Sequence, residues 1–337
     1  MSFVDGLRAR AAAAGRRIIF PESGDERTLA AVRSLMELGI VEPVLVLPPD
    51  DEAARRAALA LGALCLDPHT DPRRERVARW LGMRRAARGF PAAEGEALAL
   101  EPLFFADTLV ALGEVDGCVA GAATTTARVL RAALWSVGAA TGVETISSAF
   151  YMVVQPFRGS SEEVLTFADC AVVIQPTASQ LADIAIAAAH DRRLVVGDEP
   201  RVAFLAYGTA GSATGESIDR VRAAVELVRR RAPELAVDGE LQGDAALVPT
   251  VASRKAPGSS IAGQANVLIF PSLDAGNIAY KLVERIAHAR SIGPIVQGLA
   301  RPCSDLSRGA SADDIINVAA VTALQASGAE HAYTAGF

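Results

Sequence analysis

Asp305, Ser307 and Arg308 stand within four residues in the run DLSRG, and Ser311, Asp313 and Asp314 follow with the spacing of a helix cap. Such a set can do acid–base work on an anionic substrate, with Asp305 as base, Ser307 as hydrogen-bond donor and Arg308 as phosphate clamp at a helix start. The same residues also read as a turn in which Asp305 bonds the backbone and Arg308 is solvated. A second cluster, GAATTTARVLRAAL at 121–134, sets Thr124, Thr125 and Thr126 behind a glycine-ended strand, with Arg128 and Arg131 a turn further along. Bare helix-start amides and threonine hydroxyls would cradle a phosphate with Arg131 at the same end; equally, the threonines serve as an ordinary cap. The segment 72–88 carries Arg73, Arg74, Arg76, Arg79, Arg84, Arg85 and Arg88 around Trp80. It is either a solvated basic face or a subsite for a phosphorylated ligand, because arginine forks grip phosphate with two hydrogen bonds.

Other motifs are less directive. The stretch GTAGSATGES at 208–217 follows a strand and opens a helix but is neither GxGxxG nor a Walker A sequence, so it carries no nucleotide-fold assignment. Asp238, Glu240 and Asp244 would hold Mg²⁺ only if they converged, and no metal is expected. Arginine dominates the basic residues so strongly that Lys255 and Lys281 are the only lysines. Cys65, Cys118, Cys170 and Cys303, and His69, His190, His288 and His331, are scattered without CxxC or HExxH spacing and read as structural.

Short Val- and Ile-rich runs at 17–20, 43–47, 116–121, 170–174, 193–196, 202–207, 266–270 and 293–296 alternate with alanine-rich stretches at helical spacing. That pattern predicts an α/β fold of buried parallel strands with crossover helices. Residues 23–38 read as a helix with acidic residues in its first turn and Gly39 as its stop. Residues 238–309, dense in Asn, Asp, Gly and Ser between apolar runs, suit loops at the carboxyl edge of an open sheet, where ligands bind in α/β folds. At 337 residues, 51% hydrophobic and 21% charged, the chain has core enough for two domains. A net charge of −6 without basic-aromatic alternation argues against a nucleic-acid partner. The arginine-flanked alanine run near the start is too short for a signal peptide, and no window reaches membrane-span length, so a cytoplasmic protein with no membrane partner is expected.

Taken in order, IIFPESGDER, VDGCVAGA, TTTARVLRAAL, VDGELQGDAA, KAPGSSIAGQANVLIFP, DAGNIAYK, GPIVQGL and DLSRG resemble the phosphate acetyltransferase (phosphotransacetylase) family over nearly the whole chain. The resemblance implies reversible transfer of an acetyl group between coenzyme A and inorganic phosphate, with coenzyme A or acetyl-CoA as substrate and no tightly bound cofactor, metal or redox group. It implies a place in acetate metabolism. It implies a two-domain α/β architecture like that of isocitrate dehydrogenases, with an interdomain active-site cleft and a homodimeric assembly. The first domain would be discontinuous, 1–147 plus 300–337, around a second at 148–299. Carried across, Asp305 is similar to the family's general base, Ser307 and Arg308 to its substrate-positioning pair, and Arg131 to its phosphate-side arginine. Arg84 or Arg85 matches a coenzyme A contact, and Thr124, Thr125, Thr126, Tyr280 and Lys281 complete the expected binding set. Thr124, Ala149, Ala210 and Ser304 depart from the family's commoner residues.

The implied chemistry is direct attack in a ternary complex: Asp305 takes the thiol proton and sulfur attacks the carbonyl of acetyl phosphate. An ordinary Asp at ~3.9 lies some four to five units below a thiol at ~8.5, a mismatch of ~6 kcal/mol. Burial would raise the Asp value and Arg308 would lower it. Three alternatives accompany this reading: a phosphate butyryl- or propionyltransferase, a non-catalytic acyl-CoA-sensing module, and a metal- and NAD-dependent decarboxylating dehydrogenase, for which Tyr280-Lys281 is a superficial match.

Overall fold

The computed structural model describes residues 2–86, 89, 91–159 and 161–328; Arg88 and His331 lie outside the described residues. Eleven strands are described: β1 (Arg17–Phe20), β2 (Glu42–Val46), β3 (Leu64–Leu66), β4 (Gly117–Val119), β5 (Ser147–Val154), β6 (Glu163–Ala168), β7 (Arg201–Leu205), β8 (Ala236–Leu241), β9 (Val267–Ile269), β10 (Arg290–Gln297) and β11 (Cys303–Ser304). They fall into two compact units, one of residues 3–140 with 299–328, the other Thr141–Gly298.

The first unit holds a five-stranded sheet in the order β11-β4-β1-β2-β3, every pair parallel. Parallel strands covered on both faces read as continuous apolar runs, as Ile18, Ile19 and Phe20 do, each at most 1% exposed. The Ala312–Gly328 helix packs on β4 and on the helices Phe3–Ala14 and Glu26–Glu37. Its N-terminus is the capping box expected from the spacing: Ser311 N–H and hydroxyl donate to Asp314, and Asp314 N–H donates to Ser311 Oγ. The helix expected at 23–38 runs from Glu26 to Glu37, with Asp25 capping the Arg27 N–H and Gly39 at φ +62 beyond its end. The helices Arg74–Arg85, Pro102–Ala111 and Thr126–Ser136 pack together in the same unit.

The second unit holds a six-stranded sheet in the order β10-β5-β6-β9-β7-β8. The pairs β6–β9, β9–β7 and β7–β8 are parallel, but β10–β5 and β5–β6 are antiparallel, so the expected all-parallel pattern fails at one edge. Two expected strands are absent. At 170–174 the amides of Ala171, Val172 and Val173 donate to the Asp169 carboxylate instead of to a ladder. At 193–196 the Leu-Val-Val run closes the Ala178–Val195 helix, which a Thr177–Gln180 capping box starts and whose buried Arg192 pairs with Asp198.

Candidate active site on the first unit

β11, β4 and β1 are neighbours in one parallel sheet, so their carboxyl ends lie side by side and so do the three loops that leave them: 305–311, 120–125 and 21–25. DLSRG and the threonine helix start, far apart in sequence, therefore share one sheet edge. The third loop, Pro-Glu-Ser-Gly-Asp, ties them together. Glu22 accepts from four consecutive amides, Oε2 from Gly121 (2.9 Å) and Ala122 (2.8 Å), and Oε1 from Ala123 (3.1 Å) and Thr124 (2.7 Å). Arg27 donates to the carbonyls of Arg308 (2.7 Å), Ala310 (2.9 Å) and Ala122 (2.7 Å), while Asp25 grips its Nε and Nη2. That grip holds the Asp25 carboxyl below its ordinary value.

Ahead of the threonine helix a carboxylate of the chain fills the amides of 121–124, so the bare amides expected at the helix start are confined to the start itself. Thr125 holds the cap position but its side chain makes no cap bond, and the Thr126 and Ala127 amides have no acceptor among the described residues.

Asp305 is 1% exposed. Gly121, at φ +111, lies so close that a Cβ there would stand 2.6 Å from the Leu306 nitrogen, so only glycine lets the two loops meet. Among the described residues neither Asp305 oxygen meets a well-aligned hydrogen-bond donor. Burial pushes its carboxyl up from 3.8 to about 7, with Glu22 adding to the rise; the Thr126 hydroxyl and the Leu306 N–H pull the other way and lose. Arg308 does not act against that rise, since Ser307, Arg308 and Gly309 turn outward into solvent. The Arg308 and Arg131 guanidinium groups are both exposed, and neither has a hydrogen-bond or ion-pair partner among the described residues. Ser307 Oγ accepts from the Gly309 N–H.

Arg84 and Arg85 gather at the other end of the threonine helix. Arg84 Nε donates to the Trp135 carbonyl (3.1 Å), and the Arg85 guanidinium lies 4.0 Å over the Trp135 ring. From Thr126 to Trp135 the helix rises about 14 Å. The remaining arginines of the basic segment are largely engaged nearby: Arg73 with Asp71 and Glu114, Arg76 with Glu114, Arg74 with the His69 carbonyl. Tyr280 and Lys281 belong to the second unit, where Tyr280 is core, stacked on Phe150 at 4.0 Å, and the Lys281 ammonium sits over the Tyr280 ring. Asp238, Glu240 and Asp244 each have a cation of their own, Arg229, Arg222 and Lys255 respectively. Among the described residues no cluster of His, Cys, Asp and Glu could hold a metal ion. Cys118, Cys170 and Cys303 are buried and desolvation pushes their thiols up, which disfavours the nucleophilic thiolate.

The family model described as "Phosphate acetyl/butaryl transferase" matches residues 2–323. The chain belongs to this family. It is 44% identical over 327 residues to the phosphate acetyltransferase of Acetivibrio thermocellus, covering 97% of this chain and 98% of that one. Its structure is similar to a phosphotransacetylase from Streptococcus pyogenes, with TM-score 0.88 and 36% identity over 96% of this chain and 98% of that chain. The EutD phosphotransacetylase from Staphylococcus aureus gives 0.86 and 34% at the same coverage. Within this phosphate acetyl/butyryl transferase chain, Glu22 and Arg27 are the site residues that sequence reasoning missed. Both lie in the quoted motif IIFPESGDER; the available signal was an acidic residue directly after a buried strand, where a sheet-edge loop begins.

Proposed function

We propose that the chain is a phosphate acetyltransferase catalysing acetyl-CoA + phosphate ⇌ coenzyme A + acetyl phosphate. The observation that carries this reading is a carboxyl only 1% exposed, pushed up to about 7 by its burial, on a loop whose neighbouring Arg308 is solvent-facing and has no side-chain partner among the described residues. In the direction of acetyl-CoA formation, Asp305 takes the thiol proton and sulfur forms a bond to the acetyl carbon. The bond from that carbon to the phosphate oxygen breaks, and phosphate leaves with the electron pair. With the carboxyl at about 7 and the thiol near ~8.5, the proton-transfer mismatch falls from ~6 to roughly 2 kcal/mol. Arg308, Arg131 and the free amides of Thr126 and Ala127 stabilise the charge that grows on departing phosphate. Ser307 donates a hydrogen bond to the reacting group. Arg84 and Arg85, about 14 Å along the helix, suit the nucleotide phosphates of coenzyme A, whose extended pantetheine arm spans such a gap.

The finer parts of this reading are a homodimer acting in the cytoplasm in acetate metabolism, with domains at 1–147 plus 300–337 and at 148–299. Coenzyme A and acetyl phosphate would bind in an interdomain cleft to which Lys281 would contribute, with Tyr280 held in the core beneath its ammonium. Among the described residues no helix is long and apolar enough to cross a membrane. A second reading of the base rests on the burial of Asp305. Asp313 is ion-paired to Arg8, whereas Asp314, half-buried, has its Oδ2 bonded by Ser311 and its Oδ1 without a partner among the described residues. Consumption of coenzyme A thiol in the presence of acetyl phosphate tests the activity, and its absence refutes the reading. Comparing Asp305→Asn with Asp314→Asn assigns the proton acceptor to whichever variant loses turnover while keeping substrate affinity. Rates with acetyl, propionyl and butyryl phosphate test acyl preference, acetyl being expected fastest.

A further inference from the structure

Four successive amides converging on one point form an anion-binding concavity of the kind that holds phosphate. Here the concavity of Gly121, Ala122, Ala123 and Thr124 lies one residue ahead of the threonine helix and is filled by Glu22, all four donors within 3.1 Å. The occupant arrives from the end of β1, a different strand, and is only partly buried. Its effect is to leave just the Thr126 and Ala127 amides, with Arg131 and Arg308, to receive a substrate anion.

We infer that Glu22 is a positioning residue for acyl transfer: an internal anion that occupies the 121–124 concavity, keeps the substrate's phosphate out of it, and so confines that phosphate to the helix start beside Arg308. The inference rests on the acetyltransferase reading. It gives the empty concavity a defined consequence: two adjoining phosphate positions would compete, and the one at 121–124 would be unproductive. Glu22→Gln keeps the shape and one acceptor oxygen but turns an NH₂ toward one of the two pairs of amides, Gly121 and Ala122 or Ala123 and Thr124, so that donors face donors there. Glu22→Ala opens the concavity outright.

The test is steady-state kinetics of both variants in the direction that consumes phosphate, with thermal unfolding recorded alongside. The KM for phosphate is expected to rise about 10- to 100-fold in both variants while the KM for acetyl-CoA is unchanged. In Glu22→Ala, high phosphate should inhibit, and added formate, which can refill the concavity, should recover part of the loss; formate should do nothing for the wild type. An unchanged phosphate KM overturns the inference. So does a loss that falls equally on both substrates, follows the unfolding temperature and ignores formate, since that is the behaviour of a loop staple alone. If Glu22→Ala does not fold, the substrate split in Glu22→Gln decides between the same two results. Failure of the acetyltransferase reading looks different, because the wild-type chain itself would then show no turnover.

Discussion

Replacing Asp305 by Asn separates the folding role of this carboxyl from its chemical one. In the native chain it holds its proton to about 7, whereas in the unfolded chain it ionises at its ordinary 3.8. Between those values the unfolded state has lost a proton that the folded state still keeps, so folding stability falls as pH rises through that window and levels off above it. Between about pH 5 and about pH 8 this single group accounts for roughly 2–3 kcal/mol of lost stability. Asn has no charge to bury, so the variant escapes that loss. Its amide also has to find partners in a pocket where neither Asp oxygen has a well-aligned donor, a cost of about 1–3 kcal/mol that does not depend on pH. The informative quantity is therefore a difference of differences: denaturant unfolding of wild type and Asp305→Asn at both pH values. The variant should gain roughly 2–3 kcal/mol on the wild type from the lower to the higher pH, in the same experiment that finds turnover reduced by about 10²- to 10⁴-fold. A stability difference that is flat in pH, or that favours the wild type more at high pH, would refute the claim that burial dominates at Asp305.

Asp107, 1% exposed beside Cys118 and Cys303, is likewise pushed up to about 7 by burial, and Asp107→Asn should show the same sign of pH dependence in unfolding with catalysis intact. Arg131→Ala and Arg308→Ala should each raise the KM for phosphate, by about 10- to 100-fold if each guanidinium supplies one charged hydrogen bond of ~1.5–3 kcal/mol; titration of phosphate saturation measures it. Arg27→Ala strips three loop carbonyls of their donor and frees Asp25, and should cost about 2–4 kcal/mol in denaturant unfolding. Arg27→Lys should recover only part, because an ammonium cannot reproduce the guanidinium fork.

What the amino-acid order reveals depends on the distance over which each feature is decided. β1, β2, β4, β7, β9 and β10 are visible as Val- and Ile-rich runs because a buried strand needs apolar residues on both faces. β3 and β11, at three and two residues, are too short to show any period. The false strands at 170–174 and 193–196 have the right composition, but Asp169 takes the amides of one and an 18-residue helix absorbs the other. Even the sheet's edge reversal at β10–β5–β6 lies outside what local pattern reports, since strand direction is set by connections and not by composition.

The site divides the same way. DLSRG and the threonine run are conspicuous because each packs reactive types into a few residues, and adjacency of β11 and β4 brings them to one edge. Glu22 is inconspicuous for the opposite reason. Its partners begin 99 residues downstream, and its carboxylate acquires meaning only once β1 is known to pair with β4. A carboxylate seated among four amides ahead of a helix and a second carboxyl buried on the next loop are then two solutions to one electrostatic problem. The first is satisfied by backbone donors and stays where it is, while the second has no well-aligned donor and keeps its proton near neutrality. Among the described residues the Thr126 and Ala127 amides of the adjoining helix start have no acceptor, and Arg131 and Arg308 are exposed, which is the arrangement on which the proposed binding of a substrate anion rests.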